Sequence, residues 1–142
     1  EVVASAKAAS PNHPIELNLP PKELFVLGDS RRIHQVVANL LANARTHTPA
    51  GTQITVAAKQ NLSETIIEVT DNGPGLSKSD QERIFERFFR ADPARARHSG
   101  EGSGLGLSIV DAVMKAHGGY VSVKSDLGMG TVFSLHFIKG IN

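Results

Sequence analysis

The sequence predicts an α+β fold, a two-layer sandwich of helices laid on one sheet. Three observations carry this expectation: several short runs of β character, two segments whose apolar residues recur at helical spacing, and a closing pair of strand-like runs with no helix between them. With 142 residues the chain is about one domain's worth and can bury the greater part of its surface in a single core. It carries no internal repeat and no low-complexity tract.

The elements follow in order. Residues 1–9 are small and helix-compatible, and the two prolines of "SPNHP" (10–14) break them. Residues 1–14 therefore read as the tail of an upstream segment or linker and 15–142 as the domain, and a chain opening on Glu1 reads as a piece of something longer. Two β-like runs, "IELNL" (15–19) and "ELFVL" (23–27), lead to a segment opening with Asp29 and Ser30 as candidate helix caps. Its apolar residues Ile33, Val36, Val37, Leu40, Leu41 and Ala44 lie at helical spacing, the pattern of an amphipathic helix. "TQITVAAK" (52–59) and "ETIIEVTD" (64–71) read as strands around "QNLS". "QERIFERFFR" (81–90) reads as a short helix, and "ADPARARHSGEG" (91–102), charged and poor in apolar residues, as a mobile loop. A second amphipathic helix takes Leu105, Ile109, Val110, Val113 and Met114, and "HGG" (117–119) stops it. "YVSVKS" (120–125) and "TVFSLHF" (131–137) are the final strands.

Composition excludes several classes of function. Lys plus Arg (15) and Asp plus Glu (14) nearly cancel, so no overall field draws the chain to nucleic acid, and no nucleic-acid partner is expected. The absence of cysteine removes disulfides, zinc-thiolate sites and thiol catalysis, and fits a reducing, cytoplasmic setting. No apolar run approaches the roughly 18 residues that span a bilayer. No two of the six histidines have the i, i+3 or i, i+4 spacing of a helical metal site.

Four glycines crowd "GEGSGLG" (100–106). The dinucleotide fingerprint and the protein-kinase glycine loop need a third glycine where Leu105 or Leu107 stands, and no lysine supplies a P-loop. Two readings stay open: a glycine-rich surface turn, or free amides at a helix N-terminus that bind an anion. In "IIEVTDNGPGL" strand parity puts Ile67, Val69 and Asp71 on one face. If the apolar pair faces the core so does the carboxylate, whose burial costs several kcal/mol unless it is hydrogen-bonded. The alternative is an aspartate that closes a turn through its own backbone. Asn39 and Asn43, one helical turn apart, flank the apolar stripe. They are either surface amides or a pair offering oxygens to one hard cation such as magnesium.

Taken together, the boxes "NLLANA" (39–44), "DNGPG" (71–75), "ERFFR" (86–90), "GSGLGL" (102–107) and "GMGT" (128–131) resemble, in order, the catalytic ATP-binding domain of bacterial sensor histidine kinases. That family shares a nucleotide-binding superfamily with gyrase, mismatch-repair proteins and a chaperone. The resemblance implies a Bergerat-type fold, with a mixed, mainly antiparallel sheet of about five strands covered by about three helices and bearing an ATP lid. It implies Mg2+ and ATP as ligands, with Asp71 on the adenine amino group and Gly73, Gly75 and Thr131 beside the ring. Asn39 and Asn43 would serve magnesium and the phosphates. Residues 87–102 would form the lid, anchored by Phe88 and Phe89, and Gly102, Ser103, Gly104, Leu105 and Gly106 would offer backbone amides to the phosphates.

Hydrolytic members of the superfamily carry a glutamate where this chain has Asn39, and an amide accepts no proton at neutral pH. The resemblance therefore implies a protein-histidine kinase rather than a hydrolase. None of the six histidines precedes an acid, so the phosphoacceptor is expected on a separate dimerisation domain of the same protein, with a response regulator receiver domain downstream. The isolated domain is expected to be monomeric, the full-length protein a homodimer attached to the cell membrane. An anti-sigma-type serine kinase or a non-catalytic nucleotide-sensing module is the alternative, and "IFERFFR" argues against the first. Family members often carry a basic residue at the position of Thr46, so Arg87 and Arg90 are the candidates to meet phosphate charge, with Arg95 and Arg97 as further basic residues of the loop.

Overall fold

The structure is a computed structural model that describes Ala4, Lys7 and residues 11–19, 28–86 and 106–138. Five strands form one sheet: β1 (Ile15–Asn18), β2 (Ile54–Gln60), β3 (Glu64–Asp71), β4 (Tyr120–Asp126) and β5 (Gly130–Ile138). Their order is β1-β2-β3-β5-β4, with β1 parallel to β2 and every other pair antiparallel. Three helices whose bounds fall among the described residues accompany them, α1 (Ser30–His47), α2 (Lys78–Arg83) and α3 (Gly106–Ala116). The expected mixed, mainly antiparallel sandwich is what forms. The β-like run 23–27 lies outside the described residues.

The apolar stripe of α1 is buried through Val36, Val37, Leu40, Leu41 and Ala44, and that of α3 through Leu107, Val110, Val113 and Met114. These meet one face of the sheet in a single core with Ile54, Val56, Val69, Phe133, Leu135 and Phe137. Asp29 caps α1, its Oδ1 accepting from the amides of Arg31 at 2.9 Å and Arg32 at 3.4 Å. The helix ends at Thr48, which is extended because it precedes Pro49.

Helix α2 begins at Lys78, three residues before the predicted start. Ser77 is the reason, because its hydroxyl accepts from the amide of Asp80 at 3.2 Å and nucleates the turn there. The apolar pair just beyond the helix does belong to the core: Ile84 is buried, and Phe85 meets Phe133 edge-on at 6.1 Å. Helix α3 closes on "HGG" as expected. Gly118 takes a φ of 74°, its amide donates to the Lys115 carbonyl, and that of Gly119 donates to Met114, a Schellman stop.

Candidate functional site

One end of the sheet is polar where the core face should be apolar. Thr65, Ile67, Val69 and Asp71 share the face of β3 toward the helices, as period-two parity requires. Asp71 therefore ends the row buried, at 7% exposure. Its rung partners are Ile54 on β2 and Thr131 on β5. Both sequence alternatives for this carboxylate hold at once. Its Oδ1 closes a turn by accepting from the Gly73 amide at 2.9 Å, and the group is buried besides. Burial pushes its pKa up, while the amides of Gly73 and Thr131 pull it partly back.

The backbone around Asp71 is tight enough to dictate glycine. At Gly75, with φ 78°, a Cβ would strike the Asp126 carbonyl, and at Gly130, with φ 87°, it would strike the Asp71 carbonyl. The turn after β3 and the β4–β5 hairpin are thus stacked backbone on backbone, tied by the Gly128 amide donating to the Pro74 carbonyl at 2.7 Å.

Ser125, which sequence reasoning did not single out, is the hub beneath them. Its Oγ accepts from the Leu76 amide at 2.8 Å, donates to the Gly130 carbonyl at 2.7 Å, and lies 3.0 Å from Thr131 Oγ1. With its own proton committed to Gly130, Ser125 receives that of Thr131. Thr131 is 6% exposed. Gln81 of α2 was missed as well, and its Nε2 donates to the carbonyls of Leu76 and Ser125. So was Asn72, whose Oδ1 receives the Gln53 amide at 2.8 Å.

Helix α1 borders the same end of the sheet. Its C-terminal neighbour Thr48 lies against Gly73, where an added Cβ would come within 2.7 Å of Thr48 Cγ2. Asn43 and Asn39 follow back along the helix, both half-buried. Asn39 Nδ2 donates to the Gly106 carbonyl at 3.3 Å, so its Oδ1 is the end of the amide left to meet a cation or a donor. Gly106, the first residue of α3, has no described residue beyond its chain neighbours and its own helix within 4 Å of the space a Cβ would take, and its φ does not require glycine. The fold does not demand glycine there. Arg87, Arg90, Gly102, Ser103, Gly104 and Leu105, with Phe88, Phe89, Arg95 and Arg97, lie outside the described residues.

Among the described residues no three His, Cys, Asp or Glu side chains gather as a metal cluster, and no helix is long and apolar enough to cross a membrane. What α1 does run between is a buried acceptor, Asp71, near its C-terminal end and the first residue of α3, Gly106, beside Asn39.

Residues 28–140 match the family described as histidine kinase-, DNA gyrase B- and HSP90-like ATPase. The chain belongs to that family. Its relatives within this ATPase family are sensor histidine kinases. The probable sensor histidine kinase TcrY of Mycobacterium tuberculosis is 46% identical over 128 residues, covering 90% of this chain and 27% of TcrY. The solved structure of the mycobacterial sensor histidine kinase MprB superposes with a TM-score of 0.83 at 31% identity, covering 96% of this chain and 90% of that one. Full-length ShkA in complex with AMPPNP gives a TM-score of 0.79 at 28% identity, over 99% of this chain and 30% of ShkA. The chain thus spans about a quarter to a third of such full-length kinases. It is an ATPase-family domain of the histidine kinase branch, and the family to which the five boxes pointed is the one found.

Proposed function

We propose that this domain binds Mg-ATP along α1 and delivers the γ-phosphate to a histidine on a separate helical dimerisation domain of the same sensor kinase. The observation that carries the reading is the buried Asp71 carboxylate, held by the backbone amides of Gly73 and Thr131 at the mouth of a turn in which Gly75 is obligatory. A carboxylate there accepts a hydrogen bond from the adenine amino group, with Gly73, Gly75 and Thr131 beside the ring. From Thr48, next to Gly73, back to Asn39, next to Gly106, α1 rises about 13 Å. That spacing suits an extended nucleoside triphosphate, its base at Asp71 and its phosphates at the start of α3.

At the phosphate end Gly106, with Gly102, Ser103, Gly104 and Leu105, supplies amides at a helix N-terminus, where the dipole favours anions. Arg87 and Arg90 are the cations assigned to the triphosphate. Asn39 and Asn43 fit magnesium, because their oxygens are hard donors on one helix and Asn39 Nδ2 is already engaged. When bound, magnesium neutralises charge on the phosphate oxygens. The chain's own part is to align the γ-phosphate and exclude a base. Asn39 accepts no proton, so water is not activated and the nucleophile arrives from outside.

The acceptor histidine, the receiver domain of a response regulator, homodimerisation and membrane attachment belong to the rest of such a kinase. The test is incubation with γ-labelled ATP. Label appears on the dimerisation domain when it is supplied and never on this chain alone. Label on the isolated chain, or none on the supplied acceptor, overturns the assignment.

A further inference from the structure

In the sequence His117 stands as part of the stop signal for α3, and the site already described makes no use of its ring. Two hydrogen bonds fix that ring. Nδ1 lies 2.8 Å from the Val113 carbonyl, which can only accept, so Nδ1 carries the proton. Nε2 lies 3.1 Å from the backbone amide of Asp29, which can only donate, so Nε2 carries the lone pair. The first bond places the proton on Nδ1 and the second leaves Nε2 as the acceptor, so the two together define an Nδ1–H ring.

The second bond crosses between helices. Asp29 is the N-cap of α1, and His117 terminates α3. Gly28 makes the approach possible, since a Cβ there would strike His117 Cδ2. At the opposite end of α3, Asn39, midway along α1, holds the Gly106 carbonyl through Nδ2. The helices are therefore antiparallel and cross-tied twice, ten residues apart on α1 and eleven on α3. At 1.5 Å per residue these spans are about 15 and 16.5 Å, so the two ties agree on one axial register.

We infer that His117, through its Nε2 bond to the Asp29 amide, is a positioning residue that sets the axial register of α3 on α1. It thereby sets where the phosphate-binding end of α3 stands relative to Asn39 and Asn43. The inference rests on the nucleotide reading above for its functional consequence, and on geometry alone for the tie. Interior helix packing resists sliding but leaves the last increments to such ties, because apolar contacts are not directional. A helix moves as a rod, so loss of the tie at His117 displaces its far end. The adenine subsite at Asp71 is on the sheet and does not move with α3. Misregister therefore falls on phosphate alignment, lowering kcat for phosphotransfer and leaving KM for ATP nearly unchanged.

Two substitutions separate positioning from mere capping. In His117→Asn the amide reaches only as far as Nδ1, so the bond to the Val113 carbonyl survives and the tie is lost. In His117→Gln the side-chain oxygen reaches the place of Nε2 and can still accept from Asp29. The account expects kcat to fall about tenfold or more in His117→Asn with KM within about twofold, and to recover in His117→Gln. Equal kcat in both variants, or a loss that tracks melting temperature, overturns it. Nitrogen-15 NMR of the imidazole in the unmodified chain checks the tie without reference to activity. It should report an Nδ1–H tautomer, and an Nε2–H ring would refute the tie outright. If the unmodified chain transferred no phosphate, the nucleotide reading would fall while the NMR result still decided the tie.

Discussion

Asp71 and Thr131 face each other on the last rung between β3 and β5, and the Thr131 amide helps hold a carboxylate that its own burial pushes toward the neutral form. The site keeps an acceptor of high energy poised at the sheet end. In the absence of nucleotide that arrangement lowers stability, and pH exposes it.

The folded-state pKa of Asp71 is raised above the ordinary value of 3.8, so the folded chain holds this proton to higher pH than the unfolded chain. Its contribution to stability is present below 3.8 and is lost as pH rises through the raised value. Asp71→Asn removes the charge. Its stability relative to the unmodified protein should therefore climb with pH across that window and level off above it. Thermal unfolding of both proteins without nucleotide, from about pH 3 to 8, checks this, and a difference constant across that range argues against a desolvated carboxylate.

Gly106 and Gly130 should respond oppositely to alanine. At Gly130 the positive φ and the Asp71 carbonyl together make Gly130→Ala destabilising by about 1–3 kcal/mol or more. At Gly106 no described residue beyond its chain neighbours and its own helix obstructs a Cβ, and its φ does not require glycine. Gly106→Ala should thus melt no lower than the unmodified chain while binding ATP more weakly, because the methyl group crowds the phosphate approach. Unimpaired binding would detach Gly106 from the phosphate site.

Ser125→Ala strips a partner from the Leu76 amide, the Gly130 carbonyl and the Thr131 hydroxyl at one stroke. Unsatisfied buried groups cost about 1–3 kcal/mol each, so the urea midpoint should fall clearly. Adenine-nucleotide affinity should fall with it, since Thr131 loses its fixed orientation. A variant with an unchanged midpoint would mean that water replaces the hydroxyl.

Asn43→Ala should weaken ATP binding more in the presence of magnesium than in its absence. Parallel titrations with and without a chelator measure the difference. Equal losses in the two conditions would remove Asn43 from the metal site.

Much of this was legible in the sequence because it is local. Period two along β3 placed Asp71 on the face of Val69, and period 3.6 along α1 placed Asn39 and Asn43 beside the buried stripe. The same parity holds the signal for Ser125, a polar residue ending the core-facing row of Val121 and Val123, which went unused. Gln81 and the Asn39–Gly106 bond left no such trace. They depend on contacts 44 and 67 residues distant in the chain, and no periodicity encodes those. The start of α2 was misplaced because Ile84 and Phe85 looked helical while a single hydroxyl, Ser77, decided the boundary.

The central claim is that Asp71 reads the adenine amino group. Calorimetric titration of the unmodified chain and of Asp71→Ala with ATP and with GTP, in magnesium buffer, tests it most directly. The unmodified chain should bind ATP far more tightly than GTP, whose ring presents an acceptor to the carboxylate, and Asp71→Ala should lose about 100-fold or more in ATP affinity while retaining its fold. Equal affinity for the two nucleotides, or undiminished ATP binding by Asp71→Ala, would contradict the account.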